Sequence, residues 1–249
     1  MSRKALVPVL AVTVVLVLGC ATSGSGGLFE DIVGTVERLN VPAGGPLSEG
    51  QVVSGLKEAL SVGTANAVAA TSKVDGYFAN AAIRILLPEK LQRAADLMKK
   101  VGFRQEVDDF VLSMNRAAEK AAPYARARFV AAIREMTFDD ARRILGGGDT
   151  AATDYFEGKT RQKLYDDFRP AVAKSMDEVG VTRSYKRMMA KYAALPLAPR
   201  AESLDLDRHV TGKALDGLFY VLGQEERKIR TDPAARVTEI LKTVFGGKR

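Results

Sequence analysis

One cysteine, one histidine and no tryptophan occur in the 249 residues of this chain. A single thiol, Cys20, permits no intramolecular disulfide, so the folded part must be held by its core alone. A single imidazole, His209, excludes every site that needs two, including the H-E-x-x-H and di-histidine zinc patterns. No metal site and no resident cofactor is therefore expected. No G-x-S-x-G nucleophile elbow is present. Long apolar runs are missing as well. The longest, Ala5 to Leu18, is short of the roughly 20 residues that a transmembrane helix needs. Acidic residues are only mildly outnumbered, with 37 Lys and Arg against 30 Asp and Glu.

What is present begins with an address. Arg3 and Lys4 form a basic start, Ala5 to Leu18 an apolar stretch, and Val17-Leu18-Gly19-Cys20 reads as a lipobox, so residues 1–19 are predicted to be a signal peptide removed before Cys20. Resemblance to bacterial lipoproteins then implies lipidation of Cys20 with three acyl chains. Each buried methylene contributes about 0.8 kcal/mol to such an anchor. Ala21 stands where an aspartate commonly marks inner-membrane retention, which implies residence in the outer membrane on its periplasmic face. Loss of Arg3 and Lys4 reduces the charge from +7 to +5. That small excess would suit an anionic envelope component or an acidic envelope protein as partner, and in this compartment no nucleic acid is expected.

Residues 20–46 read as an arm. Ala21 to Gly27 is a Gly/Ser tether with a random-coil reach of roughly 15 Å. A short amphipathic piece, Leu28 to Leu39, and the breaker Val41 to Pro46 follow it. From residue 47 to 249 the pattern is helical, which predicts an all-α, irregular multi-helix bundle without substantial sheet. Ser48 with Gln51, and Thr137 with Asp140, have capping-box spacing. Leu91, Ala94, Ala95 and Met98 form one stripe and Val107, Phe110, Met114, Ala117 and Ala118 another. Lys73 to Leu87 interrupts the helices, with Ile83, Ile85 and Leu87 alternating as in an extended run. Pro123 should start or kink a helix, Pro170 should split or bend Thr160 to Val179, and Thr182 should cap the helix that follows. A long helix is expected from Asp207 to Arg230, with Glu225 on its inward line, and a last one over Val237 to Val244. Gly146-Gly147-Gly148 suggests a subdomain boundary near 146–149.

Four blocks occur in order: LPEKLQRAADLMKKVG at Leu87 to Gly102, MNRAAEKAAP at Met114 to Pro123, MTFDDARRILGGGDTAATDYF at Met136 to Phe156, and VTGKALDGLFYVLGQEERKIRTDP at Val210 to Pro233. Together they resemble the bacterial envelope family catalogued as the domain of unknown function numbered forty-one ninety-seven, over residues 47–246. That resemblance implies a predicted lipoprotein and carries over no activity.

Candidate chemistry is sparse. His209 would need Asp205 or Asp207 as orienter in a Ser-His-Asp arrangement, but all three flank a helix start where capping and surface roles are ordinary. Asp108/Asp109, Asp139/Asp140, Asp166/Asp167 and Glu225/Glu226 are adjacent pairs whose members point in different directions on a helix. No catalytic residue is assigned. Arg142, Arg143, Gly146, Gly147, Gly148, Asp149 and Thr150 offer a possible anion site, because glycines expose amides and the next helix presents its N-terminus there. The opposing reading is a turn, with Asp149 as the cap and Gly147 at a positive backbone angle. Tyr185, Met188, Met189 and Tyr192 form a possible apolar patch for a lipid or partner helix, or plain core. A binding domain anchored through Cys20 is the leading reading. A carboxylate-dependent envelope hydrolase and a carrier of an apolar ligand are the alternatives.

Overall fold

Ser48 opens the folded body as the sequence predicts: its hydroxyl accepts from the Gln51 N–H at 3.3 Å and its own N–H donates to the Gln51 side-chain oxygen at 2.7 Å. The computed structural model describes residues 48–196, 204–236, 242 and 244. Among them are eight α-helices: α1 (Glu49–Ser72), α2 (Glu89–Lys100), α3 (Arg104–Ala121), α4 (Ala125–Glu135), α5 (Phe138–Leu145), α6 (Ala151–Val179), α7 (Val181–Ala193) and α8 (Leu206–Thr231). No strand occurs among the described residues, and the class is all-α. No helix among these residues is long and apolar enough to cross a membrane.

Two expectations about helix ends need correction. Pro170 does not split Thr160 to Val179: it lies inside a continuous α6 of 29 residues, with its ring on the exposed side. A proline removes one backbone donor and crowds the preceding turn, and α6 tolerates this because Phe168, Val172 and Met176 keep its other face in the core. Thr182 does not cap α7. Gly180, left-handed at φ 76°, ends α6 and starts α7 at once, without a side-chain cap. Pro123 falls in a single 3₁₀ turn, Ala122–Tyr124, between α3 and α4. The stretch Leu28 to Leu39 and most of the expected last helix lie outside the described residues.

Small residues let the helices approach. Ala117, Ala118, Ala121 and Ala122 of α3 and its following turn are fully buried, as are Phe110 and Met114. α3 packs on α6 and α7, and α8 is sandwiched between α1 and α6. Phe129 of α4 lies 5.6 Å from Phe156 of α6 and meets Phe219 of α8 edge-on at 5.9 Å, separations that favour aromatic pairs. One core runs from Leu56 to Leu222. It contains Ile144 before the glycine triplet and Ala152 after it, so the triplet turns the chain within a continuous core.

Candidate functional site

The segment between α1 and α2 is held by polar side chains of α3. Asn115, fully buried, accepts from the Ile85 N–H at 2.8 Å and donates to the Ile85 carbonyl at 2.9 Å, as a neighbouring strand would. One turn on, Glu119 accepts from the Tyr77 and Phe78 N–H groups at 3.1 and 3.2 Å while Arg116 holds its other oxygen at 2.6 Å. Tyr77 is fully buried, and its hydroxyl donates to the Ala214 carbonyl of α8 at 2.6 Å. Burial, with Glu119 nearby, pushes that phenol far above its ordinary range. Gly217 makes this approach feasible, since a β-carbon there would lie 2.7 Å from the Tyr77 ring. Ile83 and Ile85 point inward while Arg84 and Leu86 are exposed, so the alternation in the sequence survives as alternating burial in a segment outside any helix.

On the outer side of this segment lies an open cavity of about 750 Å³, walled on one side by residues 82–92 and on the other by one stripe of α8: His209, Lys213, Asp216 and Tyr220. Leu86 is 60% exposed and Tyr220 47%, giving the cavity accessible apolar surface. Arg84, Lys90 and Lys213 stand there with Glu89 and Asp216. The His209 Nε2 lies 2.9 Å from the Leu86 carbonyl oxygen. Asp205 does not orient it. Its carboxylate accepts from the Arg208 N–H at 2.8 Å as the N-cap of α8. Asp216 is shared between Lys213, at 3.3 Å, and Arg161.

The glycine segment has a different chemistry from the one expected of Asp149. At the start of α6 the Ala152 and Thr153 N–H groups and the Thr153 hydroxyl all donate to the buried Glu226 carboxylate of α8, at 2.9, 2.8 and 2.7 Å. Arg230 adds its Nε at 2.8 Å and ties the Ile144 carbonyl to the same cluster at 3.1 Å. The anion received by this helix start is therefore the chain's own carboxylate. Asp149 is exposed, 4.0 Å from Arg227, and Thr150 makes no capping bond. Gly147 lacks the expected positive angle; among the described glycines only Gly102 and Gly180 have it. What requires Gly147 is space, since a β-carbon would lie 2.4 Å from that of Ala151.

Arg142 reaches Glu49 at 3.3 Å, and Arg143 reaches Asp140 at 2.6 Å. Asp140 also accepts from the Thr137 N–H and hydroxyl at 3.1 and 2.7 Å, completing the second capping box. The Thr137 hydroxyl first, then the Tyr155 hydroxyl, hold this carboxyl well below the usual carboxylate range, and burial together with Asp140 pushes Tyr155 up to about 12. A depressed native value stabilises the fold above the ordinary Asp pKa and withdraws that help as pH falls below about 4. Asp140→Asn is accordingly expected to be less stable at pH 7, with the difference from the parent shrinking towards pH 2. Urea melts across that range check it, and a constant difference would refute it.

The remaining acidic pairs are each divided among separate partners. Asp109 lies 3.7 Å from Arg187, Asp108 3.9 Å from Lys99, Asp166 takes Gln162 at 3.1 Å, and Asp167 takes Arg128. Glu225, expected on the inward line of α8, is only partly buried and bonds Asn66, whereas Glu226 faces inward. Among the described residues no group of three His, Cys, Asp or Glu side chains could hold a metal. Met188 and Tyr192 are buried, and Tyr185 and Met189 pack half-buried against the same core, with Tyr185 5.4 Å from Phe110. That stripe fills the space between α3 and α7. Cys20 lies outside the described residues. Asn115, Glu119 and Glu226 were missed in the sequence, where their signal is a lone polar residue on an apolar stripe.

Residues 46–246 match the model of the family described as Protein of unknown function (DUF4197). The chain belongs to that family. The DUF4197 match spans all eight helices, the α8 stripe and the Glu226 cluster. Neither a search of curated proteins nor one of solved structures found a match.

Proposed function

We propose that this DUF4197 chain is a lipid-anchored domain of the periplasmic face of the outer membrane that binds an envelope component or protein partner. The observation that carries the binding role is the open cavity between residues 82–92 and α8, within the range of small-ligand sites and lined by both apolar and charged groups. Its titratable groups are committed to structure. His209 meets a backbone carbonyl, and Asp216 is shared between Lys213 and Arg161. With both side chains engaged by the protein's own groups, the arrangement favours recognition over catalysis. The mixed lining favours a ligand with polar groups over a purely apolar cargo. The address rests on the lipobox at Cys20.

The anchor and the binding role are tested in the same cells. Cys20→Ser is expected to abolish acyl labelling and move the protein from the membrane to the soluble fraction; continued labelling would refute the anchor, and fractionation with inner-membrane markers the outer-membrane assignment. A photoreactive side chain at position 220 should give a discrete adduct, whereas one at Tyr124, exposed and not among the residues lining the cavity, should give none. Absence of the adduct overturns the binding reading. So would hydrolysis of cell-wall glycan by the purified protein that is lost in Asp216→Asn.

A further inference from the structure

Helices α4 and α6 run antiparallel, and an open groove of about 360 Å³ lies between them, at the lower end of the range of small-ligand sites. Their direction follows from the partners. Arg128 near the start of α4 pairs with Asp167 in the second half of α6, whereas Glu135 at the end of α4 lies near Tyr155 at the start of α6. The floor is apolar: Phe156 is buried, Ala132 is half-buried, and the Thr160 hydroxyl is turned back on the Phe156 carbonyl at 2.7 Å. Charge on the rim is sorted by sign. Glu135 stands at one end, beside Asp140 and Tyr155, while Lys163 and Arg128 stand at the other. Asp140 is engaged by Thr137 and Arg143, and Arg128 by Asp167, but among the described residues Glu135 and Lys163 form no ion pair and no side-chain hydrogen bond. Lys159, between the ends, sits over the Tyr155 ring. Seven residues of α4 separate Arg128 from Glu135 and eight of α6 separate Tyr155 from Lys163, about 10 and 12 Å along the two helices.

We propose that this groove binds a short peptide of about three residues with both termini free, its ammonium at Glu135 and its carboxylate at Lys163. The groove shares no lining residue with the cavity beside α8, so it is a second site. An extended chain advances about 3.3–3.6 Å per residue, so three residues place their terminal charges about 10 Å apart, the span between the two ends of the groove. Other ligand classes are opposed at one end. A dianion meets Glu135 with one of its charges, a diamine meets Lys163 with one of its own, and a purely apolar molecule gains nothing from either. Arg128 adds to the Lys163 end only what Asp167 leaves it, and Asp140 adds to the Glu135 end only what Arg143 leaves it. Both uncommitted charges are exposed, so their contribution is modest and a dissociation constant on the order of 0.1–1 mM is expected.

The probe is trialanine with unblocked termini, titrated into the purified protein and followed by amide resonances. Saturable movement of the Ala131, Ala132 and Lys159 amides is expected, with those of His209 and Tyr220 beside the other cavity unmoved. N-acetylation and C-amidation of the probe should each weaken binding about two- to fivefold. Two variants assign the ends. Glu135→Gln should remove the effect of acetylation alone and Lys163→Gln that of amidation alone, both with an unchanged melting temperature, since neither side chain has a partner among the described residues to lose. Pentaalanine, whose termini lie about 17 Å apart when extended, should bind more weakly than trialanine. Groove amides that show no saturable movement overturn the site, and equal binding of free and blocked probes overturns the zwitterionic class. An effect of acetylation that persists in Glu135→Gln overturns the placing of the ammonium, and pentaalanine bound as tightly as trialanine overturns the length.

Discussion

Glu226→Ala is expected to lower the stability of the domain by about 3–5 kcal/mol, the largest effect of any single side-chain truncation considered in this chain. The carboxylate is buried, accepts from two α6 N–H groups and the Thr153 hydroxyl, and is bonded by Arg230, whose side chain is only 6% exposed. Truncation leaves a buried guanidinium without this carboxylate and uncaps a helix of 29 residues. Breaking a buried pair from one side costs more than the pair is worth, because the remaining charge stays desolvated. For a domain of this size the melting temperature should fall by on the order of 10 °C in a circular-dichroism melt. Glu226→Gln, which keeps the shape and one acceptor, should lose less. An alanine variant within 1 kcal/mol of the parent, a threshold well below the range for buried pairs, would refute the assignment.

Asn115→Leu should cost about 2–5 kcal/mol and act on the cavity as well as on the core. Leucine matches the size of asparagine but supplies neither acceptor nor donor, so the Ile85 N–H and carbonyl, at a residue only 1% exposed, both lose their partner. Each unsatisfied buried group costs about 1–3 kcal/mol. Hydrogen exchange should show the Ile85 amide losing its protection while amides in the middle of α6 keep theirs. Asn115→Asp should fall between, since it retains the acceptor for the Ile85 N–H and loses the donor. Full protection of Ile85 in the leucine variant would show that the segment is held by other means.

Local rules made the helices legible. The capping boxes at Ser48 and Thr137, the apolar stripes of α2 and α3, and the glycine stops at Gly102 and Gly180 are short-range patterns that depend on residues three or four apart. Pro170 and Thr182 misled because their effects are set by tertiary neighbours: burial of one face of α6 outweighs the missing hydrogen bond, and a left-handed glycine makes a side-chain cap unnecessary. The cluster at Glu226 joins residues more than seventy positions apart. Sequence could show that the start of α6 suits an anion, but not which of thirty carboxylates would reach it. The cavity was hidden for the same reason. Ile83, Ile85 and Leu87 alternate in the sequence, and only packing reveals that Asn115 of α3 holds the Ile85 backbone while His209 of α8 meets the Leu86 carbonyl beside the cavity.

The length of α1 has a mechanical consequence. Its 24 residues form a rod of about 36 Å, with Ser48 at one end and the residues leading to the cavity beside α8 at the other. The interfacial layer on each side of a bilayer's hydrocarbon core is only about 5–7 Å deep. Under the anchoring proposed at Cys20, and with α1 perpendicular to the bilayer, the rod would act as a stand-off that lifts the mouth of the cavity clear of the lipid surface.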